Sequence, residues 1–416
     1  RFLRAPDAVA AMVKSLKSKA PASRGVAAEV LAGIKQSDVT KALLKQAKKE
    51  KDPEVLALLL EALGDHGDVV AMPVLLKHAK KRKASGAKAS AVRGLARLGF
   101  HHPKIRAFLL ALLSSKDDAS RILALDAAGA SGDPSVVTKV LPNLEHDAWQ
   151  VRLAAVEALD RLRPLAAIEP LIARLEHEEA ERVRDAIAGA LFRLTAMNLY
   201  DDHKIWARWW AEHGKGFEVP EAIPTMPKEH AGGTQAGFYG IPVKSERVLF
   251  VIDQSGSMSA AGVRRDDDED AKQSANRLDV AVREVLGAVS KLKNRARVNV
   301  IFFHTTIHPW RKTLQPLNGS NRAALKRELE SKKPTGGTNL YDGLELALQT
   351  KDVDTIFLLS DGAPGAGKYV ATPDILRAVR RENQTRRIAI HCISIGMDSE
   401  LMKKLARENG GRYARR

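Results

Sequence analysis

The chain has 416 residues, which is enough for two or more domains, and its 28% charged and 44% hydrophobic residues are typical of a globular protein. No apolar run approaches the roughly 20 residues that a membrane-spanning helix requires. The net charge of +17 is uneven, because residues 1–100 hold 20 Lys and Arg against 9 Asp and Glu.

A repeat of about 30 residues runs through the N-terminal half. Equivalent apolar residues end successive predicted helices at intervals of 35, 30, 31 and 32 residues: Leu63, Leu98, Ala128, Leu159 and Leu191. A Gly-Asp or Pro break follows the first four of them, and each unit continues with a second helix, so the period indicates the helix–turn–helix units of an α-solenoid. The units resemble HEAT repeats, especially the short bacterial kind, clearly over 52–195 and more loosely over 20–51. This resemblance implies a long binding surface.

Lysine and arginine gather at two predicted helix ends in this half, at 48–51 and 77–83. Such a patch suits nucleic acid or an acidic protein surface. The alternative is a solvated face, because basic side chains favour helix C-termini. No aromatic residue is interleaved with the cluster, which weakens the case for a single-strand stacking site.

Aromatic residues mark the end of the repeats. Trp206, Trp209 and Trp210 lie three and four positions apart, which predicts one helical face packed on the last repeat as a cap. The following segment is rich in Pro and Gly, as in a linker. The predicted domains are therefore 1–217, a helical solenoid, 218–246, the linker, and 247–416. We expect residues 237–242 to pack at the edge of a sheet.

Strands and helices alternate from residue 247 onward. The run 248–252 is apolar without alternation, which is typical of a strand buried on both faces of a parallel sheet. The predicted architecture is multidomain: an all-α, HEAT-like solenoid followed by a doubly wound α/β domain of Rossmann-like type.

Oxygen-bearing side chains follow two of these predicted strands. Asp253, Ser255 and Ser257 come directly after the first strand, and Asp361 follows the strand 355–360. Ligands of open α/β sheets bind at the carboxyl ends of the strands. Because these donors are oxygens without Cys or His, the expected ion is hard: Mg²⁺, or Mn²⁺ or Ca²⁺ in its place.

Together with Thr338, in the Gly-rich loop 334–339, these residues resemble the von Willebrand factor type A domain and its metal-ion-dependent adhesion site. Asp253, Ser255 and Ser257 match the family's D-x-S-x-S motif, Thr338 its distant threonine and Asp361 its distant aspartate. The resemblance implies that the three hydroxyls bind the ion and that the two aspartates reach it directly or through water. A partner's Asp or Glu would then complete the shell, which makes recognition of an acidic protein ligand depend on the metal.

Three other motifs are weaker candidates for chemistry. The segment 362–368 nearly matches the phosphate-binding loop, but Tyr369 stands where a Mg²⁺-binding hydroxyl belongs, and Pro364 removes a backbone amide. His304 and His308 lack a third zinc ligand. The acidic segment 266–270 is a solvated loop, or else a second ion site or a competing ligand for the first site. A haloacid-dehalogenase phosphatase would need D-x-D, which is absent after Asp253.

We therefore expect a non-enzymatic scaffold or adhesion protein with a Mg²⁺-dependent site and a second binding surface on the repeats. One alternative is an RNA-binding scaffold, because the Ro autoantigen family also joins a HEAT-like ring to a type A domain. Another is an adaptor of an ATPase or secretion machine. The single cysteine, Cys392, excludes an intrachain disulfide. Because residue 1 is arginine, we expect a processed or trimmed N-terminus, which leaves the compartment open to an extracytoplasmic location.

Overall fold

This computed structural model describes residues 6–81, 85–224, 237–261 and 276–416. The acidic segment 266–270, residues 82–83 of the basic cluster and the middle of the predicted linker lie outside these ranges. The chain divides into two compact units, Arg1–Pro227 and Lys228–Arg416. None of the described helices combines the length and the apolar character that crossing a bilayer requires.

The first unit is helical, and its helices pack as a solenoid does. They are α1 (Pro6–Ser15), α2 (Pro21–Ala32), α3 (Ser37–Ala47), α4 (Pro53–His66), α5 (Met72–Ala79), α6 (Gly86–Leu98), α7 (Pro103–Leu112), α8 (Asp118–Ala130), α9 (Val137–Val140), α10 (Trp149–Leu162), α11 (Ile168–His177), α12 (Glu181–Thr195) and α13 (His203–His213). The even-numbered helices from α2 to α12 contact one another in series. Each repeat therefore rests mainly on its neighbours.

Capping residues explain where these helices begin and end. Asp52 accepts hydrogen bonds from the amides of Glu54 and Val55, each at 3.0 Å, and so fixes the start of α4. Gly67 ends the same helix with a left-handed φ of 72°. The helix α9 is short because Pro142 has no N–H to continue its ladder, and the chain goes on as a 3₁₀ turn.

Two ion pairs, one half-buried and one buried, hold the repeats together in the same way. Arg24 meets Glu50, and Arg152 meets Glu178, each pair 26 residues apart with two hydrogen bonds of 2.6–2.8 Å. In both cases the other guanidinium nitrogen donates to two backbone carbonyls just before the helix that carries the arginine. Each arginine thus links the segment just before its own helix to a glutamate 26 residues further along the chain.

The tryptophans predicted as a cap lie on α13, which contacts α11. Trp206 is fully buried in the core of the unit, and its indole N–H donates to the carbonyl of Tyr200 at 2.8 Å. Trp209 and Trp210 are half-buried and pack edge-on against Phe217. These contacts cover the end of the solenoid with aromatic area.

The second unit is a sheet with helices on both faces. Its elements are β1 (Gly237–Phe238), β2 (Ile241–Pro242), β3 (Arg247–Asp253), α14 (Arg277–Lys291), β4 (Arg297–Phe303), β5 (Ile307–Pro309), β6 (Gln315–Pro316), α15 (Gly319–Glu330), α16 (Leu340–Gln349), β7 (Thr355–Ser360), α17 (Thr372–Asn383), β8 (Ala389–Ser394), α18 (Glu400–Glu408) and β9 (Tyr413–Arg415). The strand order is β5-β4-β3-β7-β8-β9, with β6 also paired to β4. β3 lies between β4 and β7 and is parallel to both. The carboxyl ends of β3 and β7 are therefore neighbours.

The prediction for residues 237–242 is wrong. The segment forms the small hairpin β1–β2 and packs over a face of the large sheet instead of its edge. The ring of Phe238 lies 5.1 Å from that of Phe250 and 5.6 Å from that of Phe357, which are paired residues of the two central strands. An aromatic side chain buries far more apolar area on a face than at an edge.

Candidate metal centre

Asp253 lies at the carboxyl end of β3 and is fully buried. Its carboxylate is held from two sides: the amide of Ser255 donates to Oδ1 at 2.8 Å, and the hydroxyl of Ser360 donates to Oδ2 at 2.5 Å. Burial raises the pKa of Asp253 above its ordinary value, and the charge of Asp361 adds to the rise, while the bonds from the two serines oppose it. The structure thus holds a carboxylate in place and also makes its negative charge unfavourable.

A chain of short contacts joins this strand end to the next one. The hydroxyls of Ser255 and Ser257 are 3.0 Å apart, and Ser257 donates to Oδ1 of Asp361 at 2.7 Å. Asp361 directly follows β7, so the parallel pairing of β3 and β7 accounts for the contact across 104 residues. Ser255 and Asp361 are buried, whereas Ser257 is exposed. The cluster therefore opens to solvent at Ser257.

Thr338 enters the cluster from the loop 334–339. The amide of Gly256 donates to the carbonyl of Gly336 at 3.0 Å, which ties this loop to the turn after β3. Gly336 has a left-handed φ of 68°, a conformation that favours glycine. A methyl group built on Gly362 would lie 3.7 Å from the Thr338 hydroxyl and 4.0 Å from that of Ser257. Both hydroxyls thus border the same small space.

The structure brings together all five residues that the sequence singled out, and their chemistry fits a hard divalent ion. They offer two carboxylates and three hydroxyls, the oxygen donors that Mg²⁺ and Ca²⁺ prefer. Within the described ranges, no group of three or more His, Cys, Asp or Glu is placed to hold a metal ion. A metal centre at this edge would therefore depend on hydroxyl oxygens as well as carboxylates.

Two residues of the cluster were not predicted, Ser360 and Arg277. Nη1 of Arg277 donates to Oδ2 of Asp361 at 2.7 Å, and the side chain of Arg277 is 24% exposed while that of Asp361 is fully buried. The only signal for Ser360 was its position at the end of the apolar run of β7, directly before Asp361. No local pattern in the sequence indicates a contact between a helix start and a strand end 84 residues later.

The segment 362–368 is engaged in contacts within the chain. Two of its amides donate to the carbonyl of Thr338 at 2.9 and 3.3 Å. The amide of Lys368 donates to Asp342 at 3.0 Å, and its ammonium group pairs with Glu345 at 2.9 Å. A phosphate-binding loop needs its amides and its lysine directed at the ligand, so this segment is better described as a support for Thr338.

His304 and His308 lie beside the same loop. Their rings stack with centroids 4.9 Å apart, and the hydroxyl of Thr306 is 2.7 Å from Nε2 of His308. Burial, followed by the charges of His308 and Lys332, lowers the pKa of His304. The carbonyl of His304 accepts a hydrogen bond from the amide of Asn339 at 2.9 Å. His304 therefore supports the loop that carries Thr338.

Comparison with known families identifies both units. Residues 246–415 match the model of the von Willebrand factor type A domain, and residues 9–96, 85–159 and 105–192 match that of HEAT repeats. The chain therefore carries HEAT repeats followed by a type A domain. The repeats begin earlier than residue 20, where the sequence pattern first indicated them.

The curated relatives are much longer proteins. The chain is similar to the inter-alpha-trypsin inhibitor heavy chain H4 of Homo sapiens, with 29% identity over 208 residues, 46% of this chain and 18% of that protein. It is also similar to the heavy chain H2 of Homo sapiens, with 29% identity over 180 residues, 40% of this chain and 17% of that protein. The matches thus span less than a fifth of these relatives.

Among solved structures, one titled von Willebrand factor type A from Catenulispora acidiphila is 22% identical and covers 42% of this chain and 39% of that one. Its TM-score is 0.34, which is too low to assign a fold or a function. The assignment of the two units therefore stands on the family models and on the sheet topology described above.

Proposed function

We propose that this chain is a non-enzymatic scaffold whose type A domain binds a protein partner through a divalent ion, Mg²⁺ or in its place Mn²⁺ or Ca²⁺. Type A domains and HEAT repeats are both interaction modules, which is the coarser part of the conclusion. The finer part is that the ion is held at the carboxyl edge of the sheet and that an Asp or Glu of the partner completes its shell.

The observation that carries the proposal is the state of Asp253. It is a fully buried carboxylate whose pKa is raised by burial, and among the described residues no cation is paired with it. A buried carboxylate without a counter-ion is unfavourable, and metal coordination is one of the ways in which proteins relieve it. Three hydroxyls converge on the same edge and supply neutral oxygens for the rest of a shell.

The residues divide into two roles. Ser255, Ser257 and Thr338 would bind the ion through their hydroxyls, and Asp253 and Asp361 would hold it by charge, directly or through water. The ion would supply a Lewis-acidic position for a carboxylate oxygen of the partner. Because Ser257 is exposed and the aspartates are buried, the partner approaches from the hydroxyl side.

The test is a calorimetric titration of Mn²⁺ into the full chain and its variants. Thr338→Val removes one hydroxyl at nearly constant shape, and we expect it to weaken Mn²⁺ binding roughly tenfold or more. Asp253→Ala should abolish binding. Thr335→Val, an exposed residue of the same loop, is the matched control and should bind as the wild type does. Equal Mn²⁺ affinity in wild type and Asp253→Ala would end the proposal.

A second candidate, nucleic-acid binding by the repeats, has one specific observation in its favour. Lys17, Lys49 and Lys51 line one open depression, so the basic cluster at 48–51 is wider in space than in sequence. Against it, Lys48 and Lys80 sit at the C-caps of α3 and α5, where a cation is favoured without any ligand.

Salt separates the two candidates. Binding of single-stranded RNA to the full chain should weaken with salt by a log–log slope of about −0.7 for each neutralised phosphate and should resist EDTA. Ion-dependent binding of a glutamate-rich peptide should be abolished by EDTA and respond only mildly to salt, because the contact is short and partly desolvated. Tight, EDTA-resistant RNA binding would favour the second candidate over the first.

A further inference from the structure

Hydrogen bonds of the main chain fix the position of Arg277 beside the candidate metal centre. It is the first residue of α14, which Asn276 caps through a reciprocal pair of hydrogen bonds with Asp279. The amide of Arg277 donates to the carbonyl of Ala260 at 2.9 Å, which ties the helix start to the turn after β3. The side chain therefore starts from a rigid point next to the site.

The guanidinium group is fixed as well. Nη1 donates to Oδ2 of the buried Asp361, and a methyl group built on Gly396 would lie only 2.7 Å from Nη2. Gly396 has a left-handed φ of 80°, and its amide donates to the carbonyl of Arg416 at 2.6 Å. The guanidinium group therefore lies directly against Gly396, between the ends of β7 and β8. It is not a loose surface ion pair.

Arg277 and Ser257 use different oxygens of Asp361. Ser257 donates to Oδ1, the oxygen on the side of the three hydroxyls, while Arg277 takes Oδ2. The arginine therefore leaves the hydroxyl side of the carboxylate open. Its positive charge nevertheless acts on the whole centre, because a partly buried charge is only weakly screened.

The net charge of the centre determines how tightly it binds a divalent ion with and without an anionic ligand. With Asp253 and Asp361 ionised and Arg277 positive, the centre has a net charge of −1, and a divalent ion changes it to +1. Without Arg277 the same centre would change from −2 to 0. The arginine thus weakens the binding of an ion on its own and leaves a positive charge that an anion neutralises.

We propose that Arg277 makes ion binding at this centre cooperative with the binding of an anionic ligand, so that the ion alone binds weakly and the ion with a carboxylate binds tightly. This inference rests on the proposed function and specifies its partner further. The ligand must bring a negative charge of its own, since a neutral oxygen would leave the centre positive. Arg277 acts here as a specificity-determining residue.

The test measures Mn²⁺ affinity of the full chain in excess sodium acetate and in sodium chloride of equal ionic strength. We expect acetate to raise the affinity of the wild type roughly tenfold, the scale set by one partly screened unit charge a few ångströms away. Arg277→Gln should bind Mn²⁺ roughly tenfold more tightly in chloride and gain little from acetate. Arg277→Lys, which keeps the charge, should behave as the wild type does.

Lys291→Gln is the matched control, because it removes the same charge from the exposed far end of α14, about 21 Å along the helix axis. It should leave both affinities unchanged. Equal gains from acetate in wild type and Arg277→Gln would overturn the inference and leave the metal site intact. If wild type and Arg277→Gln both fail to bind Mn²⁺, the metal site itself is refuted. Should Arg277→Gln not fold, the lack of an acetate effect in the wild type would still overturn the inference.

Discussion

The ion pair between Arg24 and Glu50 gives a prediction whose size follows from the structure. The Glu50 side chain is 2% exposed and that of Arg24 is 13% exposed. Both carboxylate oxygens accept from Arg24 at 2.8 Å, and Gln46 donates to one of them at the same distance. Glu50→Gln keeps the volume and removes the charge, so it leaves the Arg24 cation buried without its partner.

The hydrogen bonds from Arg24 lower the pKa of Glu50 from 4.5 to about 2. Each tenfold change in a protonation equilibrium is worth about 1.4 kcal/mol, so the bonds that Glu50 accepts from Arg24, Gln46 and the backbone together contribute at most about 3 kcal/mol. Solvent beside Arg24 screens part of that interaction. We therefore expect Glu50→Gln to lose roughly 1–2 kcal/mol of unfolding free energy at pH 7.

The contribution of Glu50 to the unfolding free energy depends on pH with a definite sign. The pKa of Glu50 is lower in the folded chain than in the unfolded chain, so its contribution is complete above about pH 4.5. It disappears as the pH falls toward 2, because the carboxyl then binds a proton in both states. The unfolding free energies of wild type and Glu50→Gln should therefore differ at pH 7 and converge between pH 4.5 and about 2.

Urea unfolding followed by tryptophan fluorescence measures this difference. Four of the five tryptophans, at 149, 206, 209 and 210, lie in the repeat unit, so the signal reports mainly on that unit. Glu54→Gln is the control, because Glu54 is exposed in the first turn of α4, the helix that Asp52 caps. Its unfolding free energy should stay within about 0.5 kcal/mol of that of the wild type. A Glu50→Gln chain as stable as wild type at pH 7, or one whose deficit is unchanged near pH 2, would refute the reasoning.

Two further substitutions test the site and the stacking of the repeats. Asp253→Asn should raise the metal-free unfolding free energy by an amount on the order of 1 kcal/mol, because burial disfavours the ionised Asp253. Thermal unfolding should show that the stability gain of Asp253→Asn over the wild type shrinks as the pH falls, because Asp253 of the wild type then becomes protonated. Mn²⁺ should not stabilise the variant further. A variant less stable than the wild type would contradict this reasoning. Gly64→Ala should cost about 1–3 kcal/mol, since its new methyl would lie 2.4 Å from Cα of Gly94. Gly86→Ala, whose nearest neighbour is 3.8 Å away, should be nearly neutral in the same urea titration, and equal effects of the two would count against close helix packing.

The sequence predicted the strands of the second unit well because their apolar runs are long and unbroken. The run 248–252 ends one residue before β3 does, and the strand expected at 355–360 has the bounds of β7. Helix starts are harder to locate in the sequence: α15 begins at Gly319 because Asn318 caps it. A cap is a single polar residue in a polar segment, so periodicity does not locate it.

Contacts between distant segments divide into two kinds. The meeting of Ser257 with Asp361 was predictable, because parallel strands place their carboxyl ends together and a family motif marks both residues. The pair of Arg277 with Asp361 was not, since it depends on where a helix starts after a long polar segment. The position of Phe238 over the sheet was missed for a similar reason, because two-residue strands have no period to read.

Asp253 differs from the other buried carboxylates described above, which are paired with an arginine in both units. In the repeats, Glu50 and Glu178 each meet an arginine in two hydrogen bonds, and their pKa values fall despite burial. In the type A domain, Asp253 accepts bonds from neutral donors and its pKa rises. The arginines of the repeats compensate the glutamate charges within the chain, whereas no cation among the described residues is paired with Asp253. This contrast supports the proposal of a metal site at the carboxyl end of β3, while the arginine pairs of the repeats are internal contacts of the solenoid.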